Sequence, residues 1–209
     1  MERIARDSEN DHAAVMEVLT TFVREQTQGR LDTSRSWLAK LFPKDQDVSQ
    51  PPADIQAILT VLGRRTRTYG KGESQHLNLG GIQIREADLS EAHLEGADLR
   101  RAHLEGTDLT LASLERADLR RASLEEADLA GAHLEEANLF EAHLEGADLR
   151  RAHLEGADLA GAHLEGARLS WTSLEGANLL GASLEGTRLM QANLTKVNGS
   201  CWIPGSWMC

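Results

Sequence analysis

The chain has 209 residues, 4% of them aromatic, and a formal net charge of -11. Three Phe and one Tyr exclude a core built on aromatic packing, so Leu and Ala must supply the interior. Cys201 and Cys209 are the only cysteines, which excludes a disulfide framework and a four-ligand zinc pattern. With no signal peptide and no apolar run near 18 residues, the expectation is a cytoplasmic protein. Peripheral membrane association is expected only if the chain is part of a longer, membrane-anchored protein.

Residues 1–76 read as a small helical domain. Ser8-Glu-Asn-Asp11 resembles a capping box, and Val15, Met16, Leu19, Phe22 and Val23 follow at helical spacing, with Gly29 as the stop. Ser34 to Phe42 predicts a shorter helix bearing Trp37, Leu38, Leu41 and Phe42, ended by Pro43. Pro51 and Pro52 suit the start of a further helix. Its stripe is Ile55, Ile58, Leu59 and Leu62, and its last turn is expected to carry Arg64 and Arg65. Arg64, Arg65, Arg67 and Lys71 form a basic cluster without interleaved aromatics, so direct nucleic-acid binding is not expected. The main role expected of this domain is to cap the open end of the repeat that begins at Leu77.

From Leu77 to Lys196 the chain reads in fives. The centres are Leu79, Ile84, Leu89 and then Leu at every fifth position to Leu194, 24 in all. Two residues before each centre stands a small residue, usually Ala, with Thr107, Thr172 and Thr187 among the exceptions. A period of five fits neither a helix at 3.6 nor a strand at 2. It fits a short extended run, a corner, and a repeat of both, with the centre and the residue two before it pointing inward. Leu89, Leu99, Leu119, Leu139, Leu159 and Leu179 are then structural core, and the other three positions of each five are expected to face water. Gly96, Gly106 and Gly146 fall at the corner, where positive φ favours glycine. Trp171 at another corner is expected to be an exposed aromatic. Residues 197–209 are uncharged and apolar, and read as a C-terminal cap or a dimer contact.

Ala97-Asp98-Leu99, Ala137-Asn138-Leu139 and Ala177-Asn178-Leu179 resemble the motif of the pentapeptide-repeat family. The resemblance implies a right-handed quadrilateral parallel β-helix, a β-solenoid with four pentapeptides per coil and about six coils. The segments 2–8 and 52–63 are similar to a domain found before the repeats in some bacterial members.

With four units per coil, residues 20 apart stack. Two opposite faces then carry glutamate ladders as candidate interaction faces. One holds Glu95, Glu115, Glu135, Glu155 and Glu175, the other Glu105, Glu125, Glu145, Glu165 and Glu185. The remaining faces hold Asp and Asn with Arg100, Arg101, Arg120, Arg121, Arg150 and Arg151. His133 should neighbour His153, and His143 should neighbour His163. In a duplicated repeat such stacks are ordinarily incidental, and no metal or cofactor is expected. Ser, His and Asp recur on exposed ladders without an evident pocket, so no catalytic residue and no enzyme activity is expected. The expected function is a non-catalytic scaffold, an acidic rod binding an unknown protein partner through one face. Some family members protect type II topoisomerases by presenting a DNA-like acidic rod. The alternative partner implied by the resemblance is therefore DNA gyrase, although the arginines interrupt the acidity. A monomer, or a homodimer through the C-terminal tail, is expected.

Overall fold

The computed structural model describes residues 12–28, 53–63 and 76–199. The Ser8–Asp11 box, the helix expected over 34–42, Arg64, Arg65 and the segment 200–209 lie outside these residues. Two helices are described, α1 (His12–Gln28) and α2 (Ala53–Gly63).

The last residue of α1, Gln28, immediately precedes Gly29, the residue type most tolerant of helix termination. Leu19 and Val23 are buried, and Thr20 and Thr27 with them. Phe22 is not, at 39% exposed, which corrects the stripe expected for this helix. Residues 19, 23 and 27 follow the i, i+4 ridge, and Phe22 falls about 100° from the middle of that ridge. In α2 the buried side chains are Ile55, Leu59 and Leu62, with Ile58 packed at their margin. They join one continuous core with the leucines of the repeat.

The repeat winds into a β-solenoid. Each β-bridge joins residue i to residue i+20 in parallel, from Asn78 with Asp98 to Asn178 with Asn198. Four pentapeptides therefore make one coil. Four faces result, here named by their centres: face I through Leu79 and Leu99, face II through Ile84 and Leu104, face III through Leu89 and Leu109, face IV through Leu94 and Leu114. Each pentapeptide contributes a single bridged residue flanked by two inward side chains. In the unit Ala97–Arg101, Asp98 N–H donates to the Leu77 carbonyl at 2.8 Å, and Leu99 N–H donates to the Asp118 carbonyl at 2.8 Å. The next Ala102 N–H then donates back to the Leu99 carbonyl at 3.1 Å and closes the corner. The fifth residue turns the chain at positive φ, as in Gly96 (65°), Arg101 (55°) and Trp171 (67°).

Leu99, Leu119 and Leu159 are 0% exposed, Leu139 1%, Leu179 3% and Leu89 4%. Two residues earlier Ala is buried in most units, and in the first coil the same position takes Leu77 and Ile82. Thr107 and Thr172 occupy that position buried, and each satisfies its hydroxyl by donating to a carbonyl, of Ile84 at 3.1 Å and of Leu149 at 2.6 Å.

At the N-terminal edge the backbone groups of the first coil find partners in the helices. Gln83 N–H donates to Thr27 Oγ1 at 3.4 Å, and His93 N–H donates to the Gly63 carbonyl at 2.7 Å. Gln56 takes both groups of Asp88: Nε2 donates to the carbonyl at 2.7 Å, and Oε1 accepts from the N–H at 3.1 Å. Such edge groups, left bare, are templates for pairing with another chain. No described helix is long and apolar enough to cross a membrane.

Candidate interaction faces

Faces I and III neutralise themselves. The second residue of their units is Asp or Asn, except for Arg168 and Arg188 at the end of face III, and its Oδ1 commonly accepts the backbone N–H two residues on. Asp108 does so for Thr110 at 2.9 Å and Asn138 for Phe140 at 3.1 Å. This local turn explains why short acids and amides stand where the corner begins. In three units the fourth residue is an arginine that folds over the same carboxylate. Arg100 donates from Nε to Asp98 Oδ1 at 2.8 Å and from Nη2 to Oδ2 at 2.6 Å. Arg120 repeats this on Asp118, and Arg150 on Asp148. The hydrogen bond from Arg100 holds the Asp98 carboxyl below the usual range, and the Arg100 guanidinium is raised further by the same contact. Burial pushes Asp148 up, but bonds from the Arg150 side chain and backbone leave it lowered on balance. At the corners, Arg116 reaches Glu136 and Arg121 reaches Glu141 one coil on, each at 2.7 Å.

A shallow groove crosses face I, lined by Asn78, Asp98, Arg100, Arg101, Arg120 and Phe140 among others. Its lining holds no Ser, Cys, His or Lys.

Faces II and IV are built differently. Their second residue is His or Ser and their fourth is Glu, except in the end units at 82–86 and 192–196. The two side chains meet within the unit, with Nδ1 of His133 3.1 Å from Oε1 of Glu135 and Nδ1 of His143 3.4 Å from Oε1 of Glu145. The glutamates were expected to face water, and here the structure corrects the reading. Glu95 is buried at 8%, Glu105 to Glu175 are half-buried, and Glu185 at the far end is exposed. Stacking causes this, because each side chain lies against the coil above and below. The Oε2 atoms of Glu105, Glu115, Glu125, Glu135, Glu145, Glu155 and Glu165 are buried without a hydrogen-bond partner. Burial pushes the Glu155 carboxyl up, but bonds from the Ser173 hydroxyl and from its own backbone, with the His153 charge, bring it below the usual range. Glu165 is lowered through Ser183 and His163 in the same manner.

Among the described residues, full cations reach these ladders only near the ends, Arg85 to Glu105 at 3.0 Å and Lys196 to Glu175 at 2.8 Å. Between them the rings of His133 and His153 stack at 4.8 Å, as do those of His143 and His163. Trp171 is 57% exposed at its corner on face III, where its backbone N–H donates to the Met190 carbonyl at 2.9 Å. Sequence reasoning missed Gln56, which no spacing marks out, and the sinking of the glutamates between coils, which depends on a neighbour 20 residues away.

The family model for pentapeptide repeats matches in eight copies, over residues 78–116, 117–156, 152–190 and 167–198. Among solved structures, a pentapeptide repeat protein from the Arabidopsis thaliana thylakoid lumen is 38% identical, with TM-score 0.44, over 44% of this chain and 64% of that one. This chain thus spans less than two thirds of that protein. HetL, a pentapeptide repeat protein involved in heterocyst differentiation regulation from the cyanobacterium Nostoc, is 33% identical over 59% of this chain and 76% of that one, with TM-score 0.26. QnrB1, a plasmid-mediated fluoroquinolone resistance protein, is 23% identical over 60% and 67%, with TM-score 0.47. A search of curated proteins returned no match. With these TM-scores below 0.5, the assignment rests on the repeat itself. Matched in eight copies between residues 78 and 198, more than half of its length, the chain belongs to the pentapeptide-repeat family, whose repeats form right-handed β-helices.

Proposed function

We propose that the protein is a non-catalytic interaction scaffold, a rigid acidic rod that binds a macromolecular partner, a protein with a basic surface, along a glutamate-lined face. The observation that carries this reading is the sorting of charge. Asp98, Asp118 and Asp148 are each matched by an arginine of their own unit, whereas along the middle of the ladders Glu135, Glu145, Glu155 and Glu165 meet an imidazole and, among the described residues, no full cation. The excess negative charge is therefore concentrated on faces II and IV, held in a fixed register. Residues 1–76 act as the cap of the first coil, a role supported by the bonds from Thr27, Gln56 and Gly63.

A second reading is mimicry of duplex DNA toward gyrase. It is favoured by the regular spacing of the carboxylates. Six coils at about 4.8 Å give a rod of about 29 Å, or roughly one net charge per 2.6 Å, against about 1.7 Å for DNA. It is weakened by the Asp–Arg pairs on faces I and III and by the half-burial of the glutamates, both of which mute the field.

Two assays separate the readings. In the first, purified chain is added to gyrase supercoiling reactions with and without a fluoroquinolone. Neither inhibition nor protection at micromolar protein removes the gyrase reading. In the second, intact rod and rod carrying Glu135→Gln, Glu155→Gln and Glu175→Gln are used as bait. Partners retained equally by both would remove face IV as the binding face.

A further inference from the structure

We infer that the rod carries two divalent-metal sites of the kind that takes Zn²⁺, Ni²⁺ or Cu²⁺, one on each glutamate face. The ligands are His133, Glu135 and His153 on face IV, and His143, Glu145 and His163 on face II. Within each set the ligating atoms lie within 4.8 Å of one another. The sites stand independently of the interaction reading, and they run against the expectation that these histidines are incidental.

The register creates these sets and confines them to one level of the rod. A histidine in the second position lies over the residue 20 further on. His93 therefore meets Ser113, His103 meets Ser123, His153 meets Ser173 and His163 meets Ser183. Only His133 with His153 and His143 with His163 bring two imidazoles together among the bridged residues. Their rings are parallel within 4° and 2°. Both members of each pair thus project from the sheet in the same direction, with equivalent nitrogens facing the same side.

The chemistry of the donors selects the ion class. Imidazole nitrogen with a carboxylate oxygen suits borderline divalent ions, and three protein ligands leave room for water or for a ligand from another molecule. At the tetrahedral angle, with bonds of about 2.1 Å, two nitrogens on one zinc ion lie about 3.4 Å apart. The parallel rings, stacked at 4.8 Å, must therefore rotate about their side-chain bonds until their nitrogens have closed by about 1.4 Å. Side chains 43–45% exposed have the freedom to do so. The third ligand is already in place, since Glu135 and Glu145 sit beside the first histidine of each pair.

A second observation also favours a cation. Oε2 of Glu135 and of Glu145 is buried with no hydrogen-bond donor, an arrangement that a nearby positive ion relieves. The same oxygen is orphaned in Glu105, Glu115 and Glu125, beside which no histidine pair stands. The imidazoles therefore decide where the ion settles.

The test uses the untagged full chain carrying Cys201→Ser and Cys209→Ser, which removes thiol ligands. Isothermal titration with Zn²⁺, and separately with Ni²⁺, is expected to give two ions per chain. His153→Gln lowers this to one, and His153→Gln with His163→Gln lowers it to none. His93→Gln and His103→Gln, which also remove a histidine from a His–Glu contact but from no pair, leave it at two. Circular dichroism checks that each variant keeps its fold. As a readout that needs no variant, Ni²⁺ should broaden the imidazole resonances of the four paired histidines before those of His93 and His103. Absence of saturable binding, a stoichiometry unmoved by the double histidine variant, or equal broadening of all the imidazoles overturns the assignment.

Discussion

The side-chain amide of Gln56 holds the backbone of Asp88 as a neighbouring strand would, donating to its carbonyl at 2.7 Å and accepting from its N–H at 3.1 Å. One coil on, the equivalent groups of Asp108 are taken by Leu89 N–H and the Ala87 carbonyl. A primary amide has the donor and acceptor geometry of a peptide group, so one glutamine replaces a rung of the ladder.

Gln56→Ala is therefore expected to cost about 1–2 kcal/mol, two ordinary hydrogen bonds at a partly hydrated edge. Gln56→Glu keeps the acceptor for Asp88 N–H but sets a second carboxylate oxygen against the Asp88 carbonyl where a donor stood, so it should cost at least as much as the alanine variant. Urea unfolding measures both, and a loss of less than a few tenths for the alanine variant would mean that water replaces the amide without penalty.

The core predicts a steeper response. Leu139 is 1% exposed in the middle of the stack, and Leu139→Ala should cost about 2–5 kcal/mol. Leu139→Asp would bury a carboxylate among leucines of the coils above and below, and should prevent folding. Thermal melts followed by circular dichroism are the check. A retained native transition in the Asp variant would contradict the inward placement of this side chain.

Corners allow a graded test. A methyl group at Gly176 would meet nothing within 4 Å, so Gly176→Ala should cost only the left-handed backbone, about 1–2 kcal/mol at φ of 70°. At Gly131 the new Cβ would lie 2.8 Å from Leu111 Cδ2, the tip of an exposed side chain that can swing away. Gly131→Ala should therefore cost little more. At Gly199 the obstacle is backbone, the Leu179 carbonyl carbon at 2.8 Å, and Gly199→Ala should be clearly the worst of the three. In the opposite sense Arg101→Gly, at φ of 55°, should raise the melting temperature slightly.

Acid should loosen faces I and III. Asp98 and Asp148 are lowered in the folded chain, through hydrogen bonds from Arg100 and, at Asp148, from Arg150 against the opposing effect of burial. A carboxyl lowered on folding contributes stability that is complete above its unfolded pKa, near 3.8, and is lost as pH falls through the folded value. The loss therefore lies below about pH 4. Arg100→Gln with Arg150→Gln should move the midpoint of acid unfolding to higher pH, and solvent screening keeps the shift modest. An unmoved midpoint would show that these pairs contribute nothing to acid resistance.

Much of the architecture is written in single positions. Leu at every fifth residue, Ala two before it and Gly96, Gly106 or Gly146 at the corner describe a local conformation, and local conformation is what one pentapeptide can encode. Asp and Asn in the second position are local too, because their acceptor serves an N–H only two residues away. Phe22 shows the limit even within a helix: its spacing suits the stripe, but which flank of that stripe meets the coil depends on the partner.

What remained for the tertiary structure was everything set by a neighbour 20 residues off or in another element. By itself the sequence determined the five-residue unit, its inward leucines and the family, since each rests on sterics and hydrophobicity repeated in place. Only the docking of α2 put Gln56 on the edge at Asp88, and only stacking decided that the glutamates sink between coils and that His133 meets His153. Those outcomes depend on a spacing near 4.8 Å between coils, a distance at which side chains shield, pair or orphan one another whatever their own preference for water.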